Sequence, residues 1–345
     1  MTAALPPLDH VVVLSDDVGI IQHAVENVPD RATGYCTDDV ARAFIVMLQR
    51  LELADDATAQ RLAGIYLAFL QSAQLADGRF HNFMSYERHW LDEVGTHDSV
   101  GRALWALGYG VLHAPGEAWR TVCRRLLDEG LRALEWLEHP RAQAYAALGL
   151  ARAHGYEPKY AAELRYLAGA LHARFLACRD AQWVWFEECM TYDNARLPEA
   201  LLRCGVALAE PTYVEGGLEA LAFYERVTFQ NGLFVPIGND GWYRRGAGRA
   251  VYGQQPLEAV SMIDVELAAY QATEDPRHRA RAGLALAWYY GKNTREVTMA
   301  AGGGCYDGLH ADSVNRNMGA ESTLALLAGA YALARRRPRS LRVAR

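Results

Sequence analysis

The chain contains no C-x-x-C pair: its six cysteines, Cys36, Cys123, Cys178, Cys189, Cys204 and Cys305, are scattered. That excludes a zinc ribbon or a thioredoxin-like motif, and the pattern suits buried thiols in a reducing cytoplasm. No segment approaches the roughly 20 apolar residues of a membrane span. Met1 to Leu8 lacks the basic region of a secretory signal, and the apolar run Val11 to Leu14 is too short for one. No H-E-x-x-H is present, no G-x-S-x-G elbow occurs, and Gly302-Gly303-Gly304 runs into Cys305 and Tyr306 rather than G-K-[ST]. A zincin, an α/β-hydrolase nucleophile and a phosphate cradle are thereby set aside, and no metal or cofactor is expected. Positive charge is also scarce where nucleic acid would need it. The net charge of −6 includes six arginines between Arg335 and Arg345, without which 29 basic groups face 41 acidic ones. An acidic body of that kind is a poor surface for phosphates, so no nucleic-acid partner is expected. The residues after 335 read as a basic, disordered tail on a single domain spanning residues 1–335.

What the chain does have is apolar material, 51% of residues, and internal repetition. Six times it enters a small-residue-rich apolar helix from a polar start: TDDVARAFIVML from Thr37, HDSVGRALWALG from His97, HPRAQAYAALGL from His139, YDNARLPEALLRCG from Tyr192, QQPLEAVSMIDVEL from Gln254 and NMGAESTLALLAG from Asn317. Between them lie more amphipathic helices with apolar residues at i, i+3, i+4 and i+7, as in Leu62, Ile65, Tyr66 and Phe69. The first set is apolar nearly all round and predicts an inner ring; the second predicts an outer one. Six such hairpins predict an all-α (α/α)6 toroid rather than an open array, with the sixth outer helix sought in the segment Gly19 to Glu26.

The connections sort into two kinds. Links from an inner to the next outer helix are short and turn-like, such as Ala114 to Gly116 and Thr273 to Pro276. Most links in the other direction are long: Gln74 to Thr96, Arg179 to Thr191, Phe229 to Gly253 and Gly291 to Arg316. All of these open on one rim, the one carrying the N-termini of the inner helices, and that rim is where a site is expected.

Acids concentrate there: Asp38, Asp39, Asp98 and Asp193 at helix starts, Glu187, Glu188, Asp240, Asp307 and Asp312 in loops, Glu258 and Glu321 near the first turns of the last two inner helices. A single acid in a first turn can simply cap the helix, which leaves the doublets Asp38–Asp39 and Glu187–Glu188 unexplained. Glycosidic bond cleavage needs one carboxylic acid to protonate the leaving oxygen and a second carboxylate across the sugar. The aromatic residues Tyr35, Trp185, Tyr192 and Trp242 offer flat faces for sugar rings. Arg42 and Arg102 are placed to hold acids ionised, and Asn194, Gln254, Gln255 and Asn317 suit hydroxyl groups. Glu187 or Glu188 is the expected acid, desolvated by Trp183, Trp185 and Phe186, with Asp38 or Asp39 as base beside Arg42. The histidines His81, His97 and His310 leave open proton transfer at a sugar carbon, as in an epimerase.

Several segments are familiar as they stand: GIIQHAVENVPDRATGYCTDDVARA from Gly19, HDSVGRALWALG from His97, WFEECMTYDNARLPEALL from Trp185, QQPLEA from Gln254 and CYDGLHADSVNRNMGAESTLA from Cys305. Together they resemble a bacterial family of six-hairpin, glycosidase-like (α/α)6-barrel proteins found alone or fused to glycosyltransferases. The pattern departs at Met318, where a Gln is expected, and near Ser313, where a Gly is expected. The resemblance implies a carbohydrate context and a functional association with a glycosyltransferase. It matches the acids Asp38, Asp39, Asp98, Glu187, Asp193, Asp307 and Glu321. The expectation is therefore a cytoplasmic inverting glycoside hydrolase acting on a bacterial oligo- or polysaccharide, as monomer or homodimer. The alternatives are a sugar epimerase or isomerase and a non-catalytic glycan-binding module.

Overall fold

The computed structural model describes residues 5–335, so the basic segment 336–345 lies outside the described residues. In chain order the described helices are α1 (Asp9–Leu14), α2 (Thr37–Leu53), α3 (Ala57–Ala73), α4 (His97–His113), α5 (Glu117–Gly130), α6 (Pro140–Tyr156), α7 (Ala161–Cys178), α8 (Arg196–Leu208), α9 (Pro211–Thr228), α10 (Pro256–Thr273), α11 (Pro276–Trp288) and α12 (Ala320–Ala334). Local chemistry sets many of the starts. Asp56 caps α3 by accepting from the N–H groups of Thr58 and Ala59, Thr96 caps α4 through Ser99, and proline opens α6, α9, α10 and α11.

The even-numbered helices form the inner ring. Each touches the next, from α2 through α4, α6, α8 and α10 to α12, and α12 returns to α2, so the toroid is closed. Closure depends on small residues. A Cβ added to Gly108 of α4 would lie 2.2 Å from the carbonyl oxygen of Gly149 in α6, so these two backbones meet directly. One large apolar core fills the space between the rings, and its largest members include Trp185, Trp288, Tyr66, Tyr224 and Phe44. No helix among the described residues is long and apolar enough to cross a membrane.

One element differs from expectation. The segment Gly19 to Glu26 is not helical: Ile20 bridges to Ser15, Ile21 to Tyr35, and Ala24–Val25 pairs with Val28–Pro29. The sixth outer position is taken instead by α1, which packs on α12. With Ile20, Ile21 and Ala24 all buried, the segment is held by extended pairing rather than by one apolar helical face.

The long loops do share one rim, and two-residue antiparallel pairs join them to one another. Tyr35–Cys36 pairs with Phe83–Met84 and Cys189–Met190 with Tyr243–Arg244, Gln254 bridges to Leu309, and Gly308–Leu309 pairs with Val314–Asn315 within its own loop. These joins fix the loops around the mouth of the barrel.

Candidate functional site

A cavity of about 750 Å³ opens at the N-terminal ends of the inner helices. Asp38 and Asp39 reach its wall from the first turn of α2, Asp98 from that of α4, and Glu321 from that of α12. Asp307 joins them from the loop before α12. Helix starts put their free N–H groups and the positive end of the helix dipole here, which favours carboxylates.

Two guanidinium groups thread this cluster. Arg42 Nη1 lies 2.6 Å from Asp39 Oδ1 and its Nη2 lies 2.6 Å from Glu321 Oε2. Arg102 Nε is 3.3 Å from Asp38 Oδ1, while its Nη2 donates to Asp193 Oδ2 at 2.9 Å and to the Tyr145 hydroxyl at 2.7 Å. Asp98 Oδ2 accepts from the Tyr192 hydroxyl at 2.5 Å. Asp38, Asp39 and Glu321 thus share two guanidinium groups, while Asp98 is held by a tyrosine hydroxyl. Burial pushes the Asp38 carboxyl above the usual carboxylate range, with Asp98 and Glu321 adding repulsion and the two arginines opposing it. Burial likewise carries Asp39 up to about 7 against the attraction of Arg42. Asp38 Oδ1 is buried and accepts no hydrogen bond, yet the side chain as a whole keeps 17% of its surface exposed.

A buried layer supports this wall. Asp193 has a left-handed backbone, φ +48°, and its N–H donates to Glu258 Oε1. Glu258 Oε2 accepts from the Tyr224 hydroxyl at 2.9 Å and from Asn194 Nδ2 at 3.2 Å. Burial lifts Glu258 to about 7. Burial also acts upward on Asp193, but Arg196 and Arg102 prevail and hold it below the usual range.

Of the residues expected from sequence, Asp38, Asp39, Asp98, Arg42, His97, Arg102, Tyr192, Gln255, Asp307 and Glu321 line the cavity together. Asp193, Asn194 and Glu258 lie buried behind its wall. Tyr35 is buried with its hydroxyl on Asp16 at 2.6 Å, and Trp185 is fully buried in the core. Gln254 is also buried, accepting from Trp288 Nε1 at 2.7 Å and donating to Thr294 at 3.0 Å. Asn317 accepts the Glu26 N–H at 3.0 Å, and Trp242 turns its loop with φ +60°. Neither Glu187 nor Glu188 lines the cavity. Glu187 pairs with Arg141 at 2.7 Å, and Glu188 pairs with Arg245 at 2.8 Å with 64% of its side chain exposed. The rings of Trp185 and Phe186 point into the core, so they do not form the apolar pocket expected to surround those two acids.

Sequence reasoning passed over Cys36, Asn82, Gln22, His23 and His139, all of which line the cavity. His139 had a signal, because it opens the third repeated helix start as His97 opens the second. The His97 ring stacks on Trp136 at 4.0 Å between centroids and meets His139 edge-on at 4.5 Å, and burial lowers its proton affinity. His310 reaches the wall from the loop side, 3.7 Å from Asp240. His81 does not; its Nδ1 lies 2.8 Å from the Asp92 carbonyl oxygen and its ring stacks on Trp90.

The closed ring of alternating inner and outer helices defines an (α/α)6 barrel with its cavity at the inner-helix N-termini. No protein-family model matches the chain, and no curated protein matches it in sequence. Solved structures share its fold. A sugar epimerase from a ruminal bacterium superposes with a TM-score of 0.71 at 12% identity, covering 96% of each chain. Cellobiose 2-epimerase from Bacillus thermoamylovorans gives 0.72 at 10% identity over 95% of each chain. A GH76 α-mannanase from Bacteroides thetaiotaomicron gives 0.67 at 10% identity, over 94% of this chain and 93% of that one. At such identities the likeness is one of architecture.

Proposed function

We propose that the protein is a glycoside hydrolase in which Asp38 protonates the leaving oxygen and Asp98 activates the attacking water. The carrying observation is that Asp38, Asp39 and Glu321 converge from two inner helices on Arg42 and Arg102 in one cavity whose wall Asp98 joins from a third. Burial raises both Asp38 and Asp39, and we assign Asp38 as the donor because it keeps a carboxyl oxygen without a hydrogen-bond partner while Asp39 is held by Arg42 at 2.6 Å. Asp98, at the start of α4 and receiving the Tyr192 hydroxyl, is suited to the anionic partner. In the reaction the bond from the anomeric carbon to the leaving oxygen breaks, and that oxygen takes the Asp38 proton. Water adds to the anomeric carbon and passes a proton to Asp98, giving inversion. Arg42 and Arg102 hold Asp39, Glu321 and Asp193 in place around the reacting pair. Gln255, Asn82 and Tyr192 offer hydroxyl partners along the wall. A panel of neutral oligosaccharides followed by proton NMR tests the reading, through release of a reducing end of inverted anomeric configuration. Undiminished turnover in both Asp38→Asn and Asp98→Asn overturns it.

A second reading draws on the histidines. His97, His139, His23 and His310 all border the same cavity, and imidazoles beside a sugar exchange protons at carbon in the chemistry of an epimerase. That reading expects solvent deuterium in the product and loss of activity in His97→Ala. The hydrolase expects no deuterium on carbon.

A further inference from the structure

Away from the cavity, the fourth and fifth hairpins enclose a second charged cluster. Glu266 of α10 is wholly buried, at 0% exposure, and meets Glu225 from α9 and His278 from α11. His278 Nδ1 lies 2.6 Å from Glu266 Oε2 and 3.6 Å from Glu225 Oε1. One ligand-capable atom from each residue lies within 4.8 Å of the other two. The remaining oxygen of Glu266, Oε1, is buried without a hydrogen-bond partner, which is costly for a carboxyl group with nothing to bind.

We propose that Glu225, Glu266 and His278 form a binding site for one divalent transition-metal ion of the zinc type. Two carboxylate oxygens and one imidazole nitrogen are ligands that zinc accepts at about 2.0–2.2 Å, leaving a fourth position for water. Ligand atoms around such an ion stand about 3.4 Å apart, so the existing spacings need only small side-chain movements. Charge also agrees. Two carboxylates face Arg281, whose Nη1 is 2.6 Å from Glu225 Oε1. Arg281 is 34% exposed and can turn to solvent as an ion enters. The ion would tie α9, α10 and α11 together, acting on the scaffold rather than on the sugar site.

The test uses the full chain, stripped with a chelator and titrated with zinc chloride by calorimetry. A single equivalent should bind, and the melting temperature should rise. Glu266→Gln and His278→Ala should each weaken binding at least about tenfold. Should either variant fail to fold, anomalous diffraction at the zinc edge from a zinc-soaked wild-type crystal decides. A peak between the three side chains supports the site, and no peak there, or uptake indifferent to both substitutions, overturns it.

Discussion

Glu258, in the first turn of α10, accepts the backbone N–H of Asp193, whose left-handed conformation opens the way into α8. The same carboxyl receives Tyr224 and Asn194, so one buried side chain fixes the loop that delivers Tyr192 to the cavity. Replacing it by alanine leaves the Asp193 N–H and the Tyr224 hydroxyl without an acceptor, whereas glutamine keeps one amide oxygen. Glu258→Ala should therefore be about 2–3 kcal/mol less stable than Glu258→Gln in urea denaturation at pH 6.

Glu258 also gives a pH test with a definite sign. Its folded carboxyl holds a proton up to about 7, above the ordinary carboxylate value, so the folded state binds more protons than the unfolded state between about pH 4 and 7. Its contribution is most favourable at the acidic end and is lost as pH rises through that window. Glutamine does not titrate. The stability of the native chain relative to Glu258→Gln should fall between pH 5 and pH 8, by on the order of 3 kcal/mol. A flat difference across that range would show that the carboxyl is not held neutral.

Asp38→Asn and Asp98→Asn should each lower kcat by about 10²–10⁴ while sugar binding, read by calorimetry, survives. Glu188→Gln should leave turnover unchanged, because that side chain pairs with Arg245 outside the cavity. Activity should decline on the alkaline side as Asp38 loses the proton that burial retains. Loss of activity in Glu188→Gln with retention in Asp38→Asn would reverse the assignment of roles.

Gly108→Ala tests the ring itself. The added methyl group would meet the Gly149 carbonyl at 2.2 Å, so α4 and α6 must separate. Overpacking of this kind costs about 1–3 kcal/mol, which outweighs the gain in helix propensity from replacing glycine. A lowered melting temperature is expected, with no change in the residues that bound the cavity.

The inner helices were legible because their signal is long: a polar start, then ten or more small and apolar residues with a helical period. The rim loops were legible only in position. Their two-residue pairings, such as Cys189–Met190 with Tyr243–Arg244, are too short to leave an alternating pattern. That is why Glu187 and Glu188 could be set on the rim but not be seen to face Arg141 and Arg245 instead of the cavity. The first-turn acids Asp38, Asp39, Asp98 and Glu321 do line the cavity, whereas Glu258, in the first turn of α10, is buried beneath Tyr224 and Asn194. Glu225, Glu266 and His278 come from three separate helices with no shared local spacing, and only folding brings them together.

The sixth hairpin joins the first described helix to the last. His10 of α1 lies 2.8 Å from the Met318 carbonyl oxygen, and Tyr331 of α12 donates to the Pro6 carbonyl at 3.1 Å. The five hairpins between them are contiguous in the chain and can pair as each is synthesised, forming an open crescent. The crescent becomes a ring only when α12 arrives to meet both α1 and α2. Arg42 on α2 and Glu321 on α12 straddle that seam, so the acid cluster is completed by the same event that shuts the barrel. A chain halted before α12 would carry most of the cavity wall and no finished site.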